Sequence, residues 1–245
     1  MVFAAVEVIF AVRVLNRRPY FRKAVIYAIG YWILSYKFSE YIGGTAAPVD
    51  FSAVAYFMCG FAVLFPGRIT YLIGAFCGLI AGVMYVTTMS LAPEIHYGIG
   101  SNSFTTIAAL LNHNLLLLLS MSMSAEKKFR LKDVHWIPGY IAIYILYVQF
   151  VTARYPVGSS VTTLKILDGT IINLVAPEFA LTAAYYVFYY VFVVAALIGI
   201  ISLVYFINRR LHAEKRFVES ERDLHFSGRA DMYLRMGRRS CRRAK

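Results

Sequence analysis

The chain has 245 residues, 60% of them hydrophobic and only 16% charged, with 18 Phe and 19 Tyr. Soluble domains carry about 25% charged residues, so this composition excludes a water-soluble globule, a disordered chain, a collagen and a disulfide scaffold. The net charge of +12 would suit a nucleic-acid binder, but its distribution along the chain argues against that partner.

A membrane helix needs about 20 mainly apolar residues, and seven segments come close to this, roughly 1–15, 24–42, 50–65, 69–90, 103–124, 135–153 and 178–207. The first is short and carries Glu7 and Arg13. It follows Met1 directly, with no basic leader and no small-residue cleavage site, so no cleavable signal peptide is expected. The third ends at Phe65-Pro66-Gly67, a strong turn signal. In the fourth, Gly74, Gly78 and Gly82 recur every fourth residue, a spacing that lets neighbouring helices approach closely. The connection 154–177 holds Tyr155-Pro156-Val157-Gly158, a Ser/Thr cluster and an apolar stretch ending at Asp168-Gly169. It reads as a re-entrant or capping element, which is tolerated where protein or water satisfies its backbone.

Alternate connections differ sharply in charge. Those at 16–23, 66–68 and 125–134, together with everything after 207, hold 21 of the 25 Lys and Arg. The opposite set, at 43–49, 91–102 and 154–177, holds only Arg154 and Lys165. The positive-inside rule therefore predicts an all-α polytopic bundle of about seven transmembrane helices over 1–207. Its N-terminus lies outside, and a basic cytoplasmic tail runs over 208–245. A multi-pass protein of the cell membrane is expected, with membrane lipids as its partners. The tail reads as an orientation anchor on anionic lipid and as a surface for a protein partner. No recognition fold for nucleic acid accompanies its charges. Cys59, Cys77 and Cys241 have no ligand-like spacing.

Polar side chains within such a bundle are the informative ones, because an ionised group at mid-bilayer costs about 2.5–3.5 kcal/mol on insertion scales. They are Lys37 and Glu40 in segment two, Asp50 and Ser52 opening segment three, and Asn112-His113-Asn114 in segment five. Gln149 and Glu178 are weaker members. Each has a plainer structural role available. Lys37 and Glu40, three apart, suit an ion pair; Asp50 suits a helix start; Ser52 suits helix packing. The run at 112–114 is harder to absorb, since successive helical residues point about 100° apart and at least one must find a partner inside the membrane. His113 stands ten residues into its segment, about 15 Å deep at 1.5 Å per residue. One outward-opening cavity would collect the residues of segments two, three and five. HExxH, paired CxxC, P-loop and dinucleotide motifs do not occur, and the last segment offers no lysine for a retinal Schiff base. No metal and no cofactor are expected.

The order Tyr36-Lys37-Phe38, Pro48-Val49-Asp50-Phe51-Ser52, two spans, then Leu111-Asn112-His113-Asn114-Leu115-Leu116, a basic link and an apolar outer loop with Asp168-Gly169 resembles the YwaF-type bacterial integral membrane proteins. It is also similar to the related eukaryotic transmembrane acyltransferases that build polyunsaturated ether phospholipids, and more remotely to the androgen-induced-gene family of lipid hydrolases. The likeness covers roughly residues 20–207. It implies a lipid-acyl enzyme in which His113 matches the family histidine. The acyltransferase cysteine directly follows the proline, where this chain has Val49. The bacterial relatives place a cysteine a few positions later, at the place of Ser52, and Asp50 occupies the position of a second histidine.

These departures leave a serine variant, altered chemistry or a scaffold that has lost activity; in the serine variant Ser52 is the nucleophile, His113 its general base and Asp50 or an asparagine the group that orients the imidazole. Lys37 stabilises an oxyanion or holds a lipid phosphate, with Glu40, Asn112, Asn114 and Gln149 around the substrate. The competing expectation is a non-catalytic membrane subunit, or a transport or binding bundle, built on the same polar cavity.

Overall fold

The computed structural model describes residues 9–42, 47–91, 103–154 and 194–213, with single positions at 6, 184, 187 and 191. All regular structure among them is helical. A π-helical turn, Ala11–Leu15, precedes α1 (Pro19–Ile42), α2 (Phe51–Leu64), α3 (Arg68–Leu91) and α4 (Ser103–Glu126). A 3₁₀ turn, Leu131–Asp133, leads into α5 (Trp136–Arg154), and α6 covers Val194–Ala213. Proline begins α1, where its fixed φ and missing N–H are harmless. Pro66 and Gly67 separate α2 from α3, and Thr70 Oγ1 ties the break by donating to the Phe65 carbonyl at 2.7 Å and accepting from Gly67 N–H at 2.8 Å.

Four helices are long and apolar enough to cross a membrane, over Arg68–Thr87, Thr106–Glu126, Leu131–Arg154 and Val194–Ala213. The chain is a helical membrane protein. α2 is apolar but has 14 residues, about 21 Å against a hydrocarbon core of about 30 Å. α1 has 24 residues but carries Arg22, Lys23, Lys37 and Glu40. Predicted segment two therefore begins earlier, at Pro19. Segment one yields only one π-helical turn and the residues beside it among its described positions. Segment seven continues to Ala213, so the first six residues of the expected tail extend a helix. The connection from 155, Glu178 and the chain beyond 213 lie outside the described residues.

α3 is the central helix, packed against α4 and α2, and α1 closes the group by touching α2 and α4. The glycine stripe makes this possible. A Cβ at Gly78 would stand 2.8 Å from the Leu116 carbonyl oxygen, and one at Gly82 would stand 2.9 Å from that of His113. Ile33, Leu72, Phe76, Leu116, Leu119 and Met123 fill the core. α5 and α6 add Ile137, Tyr140, Tyr144 and Val204 to this core and on their other faces expose Ile143, Leu146, Phe150, Ile198 and Phe206, apolar surface suited to lipid.

The described parts of the four basic stretches, the last of them only 208–213, converge at one end. The Arg22 guanidinium, 1% exposed, meets the Glu126 carboxylate at 2.7 and 2.8 Å and donates to the carbonyls of Leu15 and Asn16. Asn16 donates to Leu211 of α6 at 2.8 Å. Asn208 accepts from Phe129 N–H at 2.9 Å and donates to the Ser124 and Lys127 carbonyls, so α6 caps the end of α4. Arg68 pairs with Asp133 at 2.6 Å. The same carboxylate accepts from the Arg130 N–H at 2.9 Å, which fixes the link between α4 and α5.

Candidate functional site: a histidine–tyrosine–lysine cluster

The three polar residues in the middle of α4 point three ways, as helical geometry requires. Asn112 faces α1 and accepts from Trp32 Nε1 at 2.9 Å, with the Tyr36 hydroxyl beside the same amide. Asn114 turns back along its own helix and donates to the Leu110 carbonyl at 2.7 Å. Its Oδ1 is buried with no hydrogen-bond partner among the described residues. His113 points between α2 and α3.

The His113 ring is buried and stacks on Tyr85 of α3, with centroids 3.9 Å apart and planes 9° from parallel. Tyr56 of α2 meets it edge-on at 5.6 Å and 87°. His113 Nδ1 lies 2.8 Å from the Ala109 carbonyl oxygen. A carbonyl only accepts, so this bond assigns the proton to Nδ1 and the lone pair to Nε2. The Tyr56 hydroxyl stands 3.4 Å from the same Nδ1. With Nδ1 protonated, the hydroxyl has no acceptor there and keeps its own proton for another one.

Tyr56 also links the histidine to the lysine. Lys37 Nζ lies 4.9 Å from the centroid of the Tyr56 ring, with the Tyr36 and Tyr41 rings at 5.6 and 5.8 Å, within reach of cation–π attraction. It pairs with Glu40 at 2.6 Å, one turn along α1. Residues from segments two, three and five thus meet in one cluster, joined by two tyrosines, Tyr56 and Tyr85, that were not singled out from the sequence. A tyrosine in an apolar helix looks like packing. The available signal was that Tyr56 shares the helix face of Ser52, four residues earlier.

The other candidate residues sit further out. Asp50 is the N-cap of α2 but makes no side-chain capping bond, and together with Glu40 it lies within electrostatic range of the Tyr41 hydroxyl. Ser52 is half-buried and one turn before Tyr56, about 6 Å along the axis. Val49 is buried, and its carbonyl accepts from the Tyr144 hydroxyl of α5 at 2.9 Å. Gln149 is not brought to the cluster. The buried face of α5 runs through Tyr140, Tyr144, Val148 and Val151, and Gln149, about 100° round from Val148, is exposed. An apolar cleft of about 320 Å³ opens on the other side of α2, lined by Pro48, Val54, Phe57, Tyr140, Tyr144 and Tyr147 among others. Among the described residues no group of three or more His, Cys, Asp and Glu side chains could hold a metal. No family model matches the chain, and neither does any curated protein or solved structure.

Proposed function

We propose that the chain is a YwaF-like membrane protein acting on lipid acyl groups, by transfer or by ester hydrolysis, with His113 as its general base. The observation that carries this reading is the imidazole itself: buried, fixed by Ala109 in one tautomer and held between two tyrosines, with Nε2 as the basic nitrogen. Ser52 attacks the acyl carbonyl carbon while its proton passes to Nε2, directly or through one water. The Tyr56 O–H donates to the oxyanion that forms, and the same proton returns from His113 to the departing oxygen. Lys37 supports the developing negative charge through the shared tyrosine or takes the lipid phosphate. The seven-span topology, with its N-terminus outside and its tail in the cytoplasm of a cell-membrane protein, belongs to this proposal. It is supported by the gathering of the basic connections at one end.

Ser52→Ala and His113→Ala should each abolish acyl turnover, read by lipidomics of membranes expressing each variant. Tyr56→Phe keeps the ring under Lys37 but removes the donor, and should lower the rate about 10²-fold. Unchanged lipid profiles in all three would remove the catalytic assignment. A second reading, a binding or transport bundle, is favoured by one observation. The α2 hydroxyl nearest the imidazole belongs to Tyr56, while Ser52 stands a turn away. That reading predicts a ligand or protein partner copurifying stoichiometrically from gentle detergent, with no acyl product.

A further inference from the structure

At the opposite end from the His113 cluster, a cavity of about 180 Å³ is bordered by Lys23, Tyr27, Pro66, Tyr71, Glu126 and Lys127. Its charge is legible from the pairings around it. Glu126 is already neutralised by Arg22, which is buried and bonded to it through two nitrogens. Lys23 stands 3.9 Å from the other Glu126 oxygen with its side chain more than half exposed, so most of its charge is left over. Lys127 follows Glu126 and adds a second positive charge. Three cations against one carboxylate leave the cavity net positive.

The walls are held in place. The Lys127 carbonyl accepts from Asn208 of α6 at 2.7 Å, so the end of α4 does not fray around this lysine. The Pro66 wall is pinned by the Thr70 bonds to Phe65 and Gly67. Tyr71 is nearly fully buried, with its hydroxyl in electrostatic range of Tyr27 and Glu126. Lys23 of α1 and Lys127, the residue after α4, border one partly open recess and repel each other, and a tetrahedral anion between them relieves that repulsion while accepting from both ammonium groups. Basic recesses between membrane helices, at the end where Lys and Arg concentrate, suit phosphate-bearing head groups.

We infer that this cavity binds the phosphate of an anionic ligand, between Lys23 and Lys127. The shared chemistry is a phosphate ester or free phosphate, and the inference stands apart from the acyl-transfer proposal, whose residues lie elsewhere. The test titrates full-length protein in detergent with phosphatidylglycerol, phosphatidylcholine or inorganic phosphate and reads thermal shift and native mass spectra. Phosphatidylglycerol should raise Tm and stay bound where phosphatidylcholine does not. The double variant Lys23→Gln/Lys127→Gln should weaken that binding roughly 30-fold, and each single variant about fivefold. The singles keep the test open if the double variant does not fold. Lys128→Gln/Lys132→Gln, which removes two exposed lysines outside the cavity, should change it little. If inorganic phosphate alone gives the lysine-dependent shift, the site holds but its ligand is soluble. If the control pair weakens lipid binding as much as the cavity pair, or if neither ligand shifts Tm, the site does not exist.

Discussion

Arg22→Ala should destabilise the protein by about 3–5 kcal/mol, the usual consequence of removing one member of a buried ion pair. For a chain of this size that is a fall in Tm of roughly 6–20 °C. The effect is large because one guanidinium serves three elements. It pairs with Glu126 at the end of α4 and donates to the carbonyls of Leu15 and Asn16 in the N-terminal turn, from the first turn of α1. Without it, a largely buried carboxylate and two carbonyls lose their donor together. Arg22→Lys should recover little, since one ammonium cannot reproduce the planar fork that reaches all three acceptors. The double variant Arg22→Met/Glu126→Gln should recover most of the loss, because no unpaired charge then remains. The Lys37–Glu40 pair is the natural control. Its glutamate is half-exposed, and breaking it should cost no more than about 1 kcal/mol. Thermal unfolding of purified protein decides the matter. If Arg22→Ala unfolds within 2 °C of wild type, the α1–α4 clamp is not a determinant of stability.

The same residue shows what the sequence could and could not disclose. Helix positions were legible because long apolar runs are punctuated by Pro66-Gly67 and charged links, and most predicted boundaries fall within a residue or two of the observed ones, although Pro19, which starts α1 five residues before the expected 24, was passed over. The gathering of basic stretches at one end was implied by the alternation of charge. Counting charges, however, treats Arg22 as a solvated loop residue, and nothing local marks it as buried. Its partner is 104 positions away. Asn208 was likewise read as the start of a tail, whereas it binds the end of α4 and the following loop. In the candidate site, a polar triplet in a greasy helix was a strong signal for His113 and Asn112, because such groups must find partners. Tyr85 carried none, and Tyr56 only its place on the helix face of Ser52, since their rings satisfy an apolar helix whether or not their hydroxyls do chemistry. Gln149 failed for a simpler reason. Depth along α5 was legible, but the direction of one side chain among neighbours 100° apart was not.

Gly82→Val should cost about 3 kcal/mol or more and disturb the histidine at the same time. A Cβ at residue 82 would lie 2.9 Å from the His113 carbonyl oxygen, 2.9 Å from Leu117 Cβ and 3.2 Å from the Leu117 nitrogen. Two of those three atoms are backbone, so no rotamer change makes room and α3 must move away from α4. Overpacking of this kind costs about 1–3 kcal/mol in ordinary cores, and more where nothing yields. Tyr85 is three residues beyond Gly82, on the same side of α3, so separating the helices also separates the stacked rings. The imidazole signals of His113 should therefore shift in NMR spectra of labelled protein, and turnover should fall if His113 is the base. Gly74→Ala should be milder, because one of its neighbours is the flexible end of Met123, although the Ala62 methyl still lies 2.9 Å away. Gly139, on α5, has nothing within 4 Å of an added Cβ, and alanine there should be neutral or stabilising by up to about 1 kcal/mol through helix propensity. The expected order of stability is Gly139→Ala, then Gly74→Ala, then Gly82→Val. If Gly82→Val proves as stable as Gly139→Ala and leaves the imidazole signals in place, direct contact of the α3 and α4 backbones is not what positions His113.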